Sequence, residues 1–316
     1  MAIIRTQNTL DKILMDKDID RRGFIQLGLK AAMALPLLGS VTGLPGREGE
    51  VPDLVIVKGK SAEAITNLAI NTLGGMKRFV SRGDVVVIKP NMGWDRVPEQ
   101  AANTNPQVIK ALVEMAYSAG AKLVKVFDNT CNDPRRCYVR SGIKEAAESV
   151  DAKVPFLDER KFKPIKINGQ VIKEWPIYTE ILEADKIINV PIAKHHSLTR
   201  LTMAMKNWFG AIGGDRDKLH QRVDDAIADF GLVFKPVVTV LDAYRILTAN
   251  GPQGGNLLDV RELRTVIAST DQVAVDSLGA ELFSLKGTDL GYLVKAHAMN
   301  LGEVDISKIK LATLEI

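Results

Sequence analysis

Short β-branched runs alternate with stretches of helical periodicity along most of this chain, and that alternation constrains the fold more than any other feature. Residues 54–57, 84–88, 123–127, 186–190, 237–241, 265–268 and 309–314 read as strands. Residues 62–80 carry a helical pattern. Asn105-Pro106 opens a helix with Val108, Ile109, Leu112, Val113 and Ala116 on one face and Gly120 at its end. Helices are also expected at 139–149, from near Ser197, and over 272–285. Strands that are apolar throughout must be covered on both faces. The fold class predicted is therefore α/β, a mostly parallel sheet with helices on both faces. Residues 162–175, turning at Asn168-Gly169, add a small antiparallel hairpin insertion, the only clear antiparallel piece.

Composition narrows the function classes. Of 316 residues, 46% are hydrophobic and 25% charged, with 25 Gly and 13 Pro, which excludes disordered, collagen-like and disulfide-framework chains. The net charge of +4 comes without a dense basic tract, so nucleic acid is not an expected partner. Two cysteines, Cys131 and Cys137, are too few for a self-contained iron–sulfur cluster or a four-cysteine zinc site. A local disulfide and two unpaired thiols both remain open.

At the amino terminus, Arg21-Arg22-Gly23-Phe24 precedes an apolar, small-residue run interrupted by Lys30. This resembles a twin-arginine signal, its apolar segment too short and too mild for a conventional spanning helix. The expected organisation is a signal segment at 1–46 followed by one α/β domain at 47–316. The resemblance implies the twin-arginine translocase as a partner, and a periplasmic location or one at the outer face of the cytoplasmic membrane. No stable membrane span is expected beyond an uncleaved signal.

In open parallel sheets ligands bind outside the carboxyl ends of the strands. Those ends present Lys89 and Asn91, Asp128 and Asn129, Lys194, His195 and His196, and Asp242. Thr199, Thr202 and Lys206 fall on one face if the segment is helical, which would bury Lys206 among apolar neighbours. A desolvated lysine either loses basicity, suiting proton abstraction or imine formation, or meets an anion. Adjacent histidines diverge too far to share a metal, so one of His195 and His196 is expected to face the cleft. Acid–base roles are thus assigned to His195, His196, Lys206 and Asp242. Ligand contacts are assigned to Lys89, Asn91, Lys194, Asn207, Asn250 and Gly251, the last two for loop amides able to approach a ligand. Asp128 and Asp242 are the candidate metal ligands. His220 and His297 read as structural or surface residues, and Gly213-Gly214-Asp215-Arg216 as a turn.

Several short blocks occur in a fixed order: Val87-Ile88-Lys89-Pro90-Asn91, Asn103-Thr104-Asn105-Pro106, Asn189-Val190-Pro191 with Lys194-His195, Lys206-Asn207 with Gly210, and Asp242 with Asn250-Gly251-Pro252. Together they resemble the domain of unknown function 362 family over roughly residues 53–285. The resemblance implies an α/β fold distantly similar to the N-terminal domain of nickel-pincer lactate racemases, in which lysine and histidine hold the cofactor. Members with an added ferredoxin-like segment are described as iron–sulfur proteins, and this chain lacks that segment. Two functional expectations follow. One is an exported enzyme binding a small anionic substrate or cofactor through a Lys/His/Asp cleft, with a divalent metal left open. The other is a non-catalytic carrier or maturation factor linked to redox or iron–sulfur systems.

Overall fold

Alternating side chains along wholly apolar strands send neighbours to opposite faces, so each such strand must feed two cores. Val86 and Ile88 enter one core, and Val87 between them enters the other. The computed structural model describes residues 51–316, and the signal read at 1–46 lies outside them. In chain order, β1 (Leu54–Lys58) leads to α1 (Ala62–Thr72), β2 (Val85–Pro90), α2 (Pro106–Ala119) and β3 (Leu123–Val126). Then come α3 (Pro134–Arg140), α4 (Ile143–Glu148), the hairpin β4 (Phe162–Lys166) and β5 (Glu174–Tyr178), and the single turn α5 (Thr179–Leu182). The chain continues through β6 (Lys186–Val190), β7 (Ile192–His196), β8 (Arg200–Thr202) and α6 (Val223–Phe230). It ends with β9 (Val238–Leu247), β10 (Val260–Ser269), α7 (Gln272–Glu281), α8 (Gly291–Ala298) and β11 (Leu311–Glu315).

The central sheet is nine-stranded, ordered β11-β1-β10-β9-β6-β2-β3, with β7 beside β9 and β8 beside β7. Only β10 and β8 run against the other strands. α1 and α2 pack on one face through Ile65, Ala69, Ile70, Val108, Ile109 and Leu112. α6, α7 and α8 cover the other through Ile227, Phe230, Val273, Leu278 and Leu293. The fold is thus α/β with a mostly parallel sheet covered on both faces, and β4–β5 forms the separate antiparallel hairpin. Among the described residues no helix is long and apolar enough to cross a membrane.

Three expectations are corrected. The hairpin is not the sole antiparallel element: β9, β10 and β1 pair antiparallel because residues 248–259 hold no helix long enough to make a crossover. No helix starts near Ser197. The Leu198 amide donates to His196 Nδ1 at 3.1 Å, and the chain folds back as β8, pairing Lys194 with Thr202 and His196 with Arg200. Finally, β9 does not end at Leu241 but runs on to Leu247, so Asp242 lies inside a strand.

β6 and β7 are nearly one strand, broken at Pro191. Pro191 lacks the N–H that would continue the ladder, but its carbonyl accepts from Asp242 N at 2.9 Å. Beyond it β7 pairs β9 with a register shift, and the bend re-aims Lys194 and His196. After β8 the turn at Ala204 and Met205 is held by Asp276 of α7, whose buried carboxylate accepts from their amides at 2.6 and 2.9 Å. That grip sets where the following 3-10 segment Lys206–Ala211 begins.

Replacing Asp276 by Ala leaves two buried amides without an acceptor, at about 1–3 kcal/mol each. Asp276→Ala is expected to lose about 2–5 kcal/mol in denaturant unfolding; an unchanged midpoint would remove Asp276 as the anchor of this turn.

Candidate functional site

The carboxyl ends of β2, β3 and β7 and the 206–220 segment surround a cavity of about 590 Å³. Beneath its floor lies a buried ion pair. Lys89 is fully buried, and its Nζ reaches Asp128 Oδ1 at 2.8 Å, Pro90 O at 2.8 Å and Asn207 Oδ1 at 3.2 Å. The other Asp128 oxygen accepts from Met92 N at 2.6 Å. Burial pushes the Lys89 ammonium down from its ordinary value, and Asp128 pulls the other way. Asn207 completes the knot, donating to Lys89 O at 3.1 Å and Asn189 Oδ1 at 2.8 Å.

The network continues to Lys194, whose Nζ donates to Asn91 Oδ1 at 2.9 Å and to Ala102 O at 2.5 Å and lies 5.9 Å from the Trp94 ring centroid. Burial brings Lys194 down to about 7. Lys206 is different. It is 8% exposed, its Nζ stands 4.7 Å over the Phe209 ring, and it has no hydrogen-bond or ion-pair partner among the described residues. Burial lowers it to about 8. The third cation, Arg216, is pinned by the carbonyls of Asn129, Phe209 and Thr130 at 3.0–3.1 Å. No carboxylate lies within ion-pair distance of Lys194, Lys206 or Arg216 among the described residues.

His196 also lines the cavity, brought down to about 3 by burial and then by Lys206 and Lys194. It is neutral at physiological pH, and because Nδ1 accepts from Leu198 N its proton sits on Nε2. His196 is therefore a hydrogen-bond donor there.

Of the residues read from sequence, Asn91, Asp128, Lys194, His196, Lys206 and Asn207 line this cavity, with Lys89 below. His195 points elsewhere, to a cavity of about 370 Å³, and its Nδ1 accepts from Gly251 N at 3.2 Å. Asn250 is bound to Asp259 at 2.9 Å, and of this loop only Pro252, two residues on, reaches the cleft. Asp242 caps α2, accepting from Asn105 N at 2.7 Å and Tyr244 N at 2.9 Å, and burial raises it to about 6. Asp128 and Asp242 thus do not converge as a metal pair. No group of three His, Cys, Asp or Glu able to hold a metal occurs among the described residues. Cys131 and Cys137 are free thiols; Cys131 lines the cavity and Cys137 is buried.

Arg216, Trp94 and His220 line the cavity and were not read from sequence as site residues. The only trace of Arg216 was the Gly213-Gly214 turn before it. Its position comes from the carbonyls of Asn129 and Thr130, in one loop distant in sequence, and of Phe209 in the neighbouring 3-10 segment, which no local pattern encodes.

Residues 86–281 match the family described as Domain of unknown function (DUF362). The chain belongs to that family. The DUF362 match runs from β2 to the end of α7 and contains every residue lining the cavity. A thylakoid-associated protein of Synechocystis sp. is 26% identical over 248 residues, spanning 74% of this chain and 75% of that one. Among solved structures, the lactate racemase apoprotein from Thermoanaerobacterium thermosaccharolyticum is 12% identical with a TM-score of 0.43, covering 72% of this chain and 56% of the racemase. A Thermotoga maritima protein is 12% identical with a TM-score of 0.41, covering 70% and 59%.

Gly210 tests the knot beneath this DUF362 cavity. A Cβ at Gly210 would fall inside the Asp128 carboxylate and against Lys89 Nζ, whereas one at Gly93 would meet its nearest atom, Cys131 Sγ, at 3.8 Å. Gly210→Ala is expected to cost more than about 3 kcal/mol, the scale for disrupting a buried pair, and Gly93→Ala less than about 1 kcal/mol. Equal melting temperatures for the two variants would contradict the packing described.

Proposed function

We propose that this DUF362 protein binds a small anion in the cavity at the strand ends, as the substrate or cofactor of an acid–base enzyme. One observation carries the reading: the buried Lys206 ammonium faces the cavity with no partner of its own, beside Lys194 and Arg216, while the nearby Asp128 is already neutralised by Lys89. An unpaired buried charge is costly, and a bound anion removes that cost. Backbone-anchored Arg216 supplies a fixed fork suited to carboxylate or phosphate, and neutral His196 supplies a donor. Proton transfer near neutral pH falls to Lys194 and Lys206, since Asp128 and His196 Nδ1 are engaged.

Calorimetric titration with inorganic phosphate and with lactate tests this. At least one is expected to bind the wild type, and Lys206→Met is expected to weaken it tenfold or more without lowering the melting temperature. The pH dependence follows from the two lysines. Both hold a proton below about 7 to 8, so affinity is highest there and falls as pH rises through that window, by up to about tenfold per unit for each lysine. Without anion the sign reverses: because folding lowers both from 10.5, the folded chain holds fewer protons than the unfolded one, and stability rises with pH from about 7 to 10.5. Lys206→Met flattens part of that rise. Failure of both anions to bind at pH 6 would remove the reading.

We also propose that the protein is exported through the twin-arginine translocase to the periplasm or the outer face of the cytoplasmic membrane, on the support of Arg21-Arg22 and the apolar run after it. Replacing Arg21 and Arg22 by Lys is expected to retain the full-length protein in the cytoplasmic fraction. Unchanged fractionation would end this proposal.

A further inference from the structure

The ligand class can be narrowed further, on the basis of the anion-binding reading above. We infer that Lys206 is an imine-forming lysine and that the anion is a 2-oxo acid, its carboxylate held by Arg216 and Lys194 and its carbonyl carbon presented to Lys206 Nζ.

Geometry supports this first. The other lysines are held by protein acceptors: Lys89 spends all three N–H donors on Asp128, Asn207 and Pro90 O, and Lys194 spends two on Asn91 and Ala102 O, leaving one for the carboxylate. Lys206 Nζ alone of the three lines the cavity without a hydrogen bond, so its lone pair can be aimed at a ligand. A purely electrostatic anchor gains from acceptors that fix its position, as three carbonyls fix Arg216. Lys206 has only the Phe209 ring, 4.7 Å away, a face that stabilises a cation such as a protonated imine without competing for the nitrogen's lone pair. Arg216 keeps Nε–H and one Nη2 hydrogen for a carboxylate once its three carbonyl bonds are made. A carbonyl adjacent to that carboxylate then has an amine on one side and the His196 donor lining the same cavity. Reactivity is in line: burial holds Lys206 near 8, so roughly a tenth of it is free amine at pH 7, where an ordinary lysine has far less.

The step balances. The neutral amine attacks the carbonyl carbon, the C–N bond forms, and a proton passes from nitrogen to the former carbonyl oxygen. The resulting hydroxyl leaves with a proton as water, and the nitrogen remains in a C=N bond that a solvent proton keeps cationic. No oxidant or reductant is required.

The test is borohydride trapping on the full chain with pyruvate, followed by peptide mass mapping, with lactate as the control that has the carboxylate and lacks the carbonyl. A reduced pyruvate adduct on Lys206, absent with lactate, is expected. Lys206→Arg keeps the positive charge and removes the nucleophile, so it should lose the adduct. If that variant does not fold, mapping the adduct on the wild type decides alone. Pyruvate binding without a trapped adduct, or an adduct spread over other lysines, overturns the inference and leaves the anion-binding reading standing. Binding of phosphate or lactate but not pyruvate overturns the 2-oxo acid. Failure of all three anions to bind removes both.

Discussion

The Lys89–Asp128 pair is the constraint on which the cavity depends. A lysine with no solvent exposure is tolerable only with a full set of acceptors, and here they come from three places: Asp128 after β3, Asn207 in the 3-10 segment, and Pro90 O of β2 itself. The pair therefore ties two adjacent parallel strands to a segment more than a hundred residues later. Gly210 is part of the same fit, since the chain passes so close to Asp128 that no side chain can stand there. The pair also acts electrostatically. By neutralising Asp128 from below, Lys89 removes one of the carboxylates lining the cavity as a partner for its cations, and the exposed Asp215 and Asp217 face Lys218 and His220 instead.

This division of labour recurs around the sheet. Asp242 holds the start of α2, Asp276 the turn before Lys206, and Asp229 the hairpin turn, accepting from Gln170, Val171 and Ile172 amides at 2.7–2.9 Å. Each is a buried carboxylate consumed by backbone N–H groups, which have few other ways to be satisfied inside a protein. Acidic residues thus fix the scaffold, while Lys194, Lys206 and Arg216 face the cavity. A nearly neutral chain can in this way gather three cations at one cavity, which Asp215 and Asp217 also line, so net charge says little about the ligand.

How much of this was legible in the sequence follows from the range of each interaction. β2, α2 and β3 are written locally, in the Val-rich run 85–88, the Asn105-Pro106 start and the Gly120 stop, and the structure has them with bounds close to those read. Lys206 was expected to be buried on a helical face with Thr199 and Thr202. It is buried, but through a hairpin and a 3-10 segment, because pairing with β7 outweighs helical periodicity. Asp242 looked like a strand end because polar residues usually mark one. Inside β9 it is instead the acceptor α2 requires, a need visible only once Asn105 lies beside it. Arg216 and His220 lie in a segment without apolar rhythm, and only tertiary contacts bring them to the cavity.

Among the described residues none of Lys194, Lys206 and Arg216 has an ion-pair partner. Three cations around one cavity repel one another, and the lowered values of Lys194 and Lys206 express that cost together with burial. A carboxylate beside Lys206 would relieve that cost; here Asp128 is paired with Lys89, Asp215 with Lys218, Asp217 lies against His220, and the Lys206 ammonium stands over the Phe209 ring. Burial and repulsion are thus held in place by the packing around them. The bend at Pro191 belongs to the same arrangement. Without it β7 would continue the register of β6, and Lys194 would not be re-aimed toward Asn91 and the cavity floor.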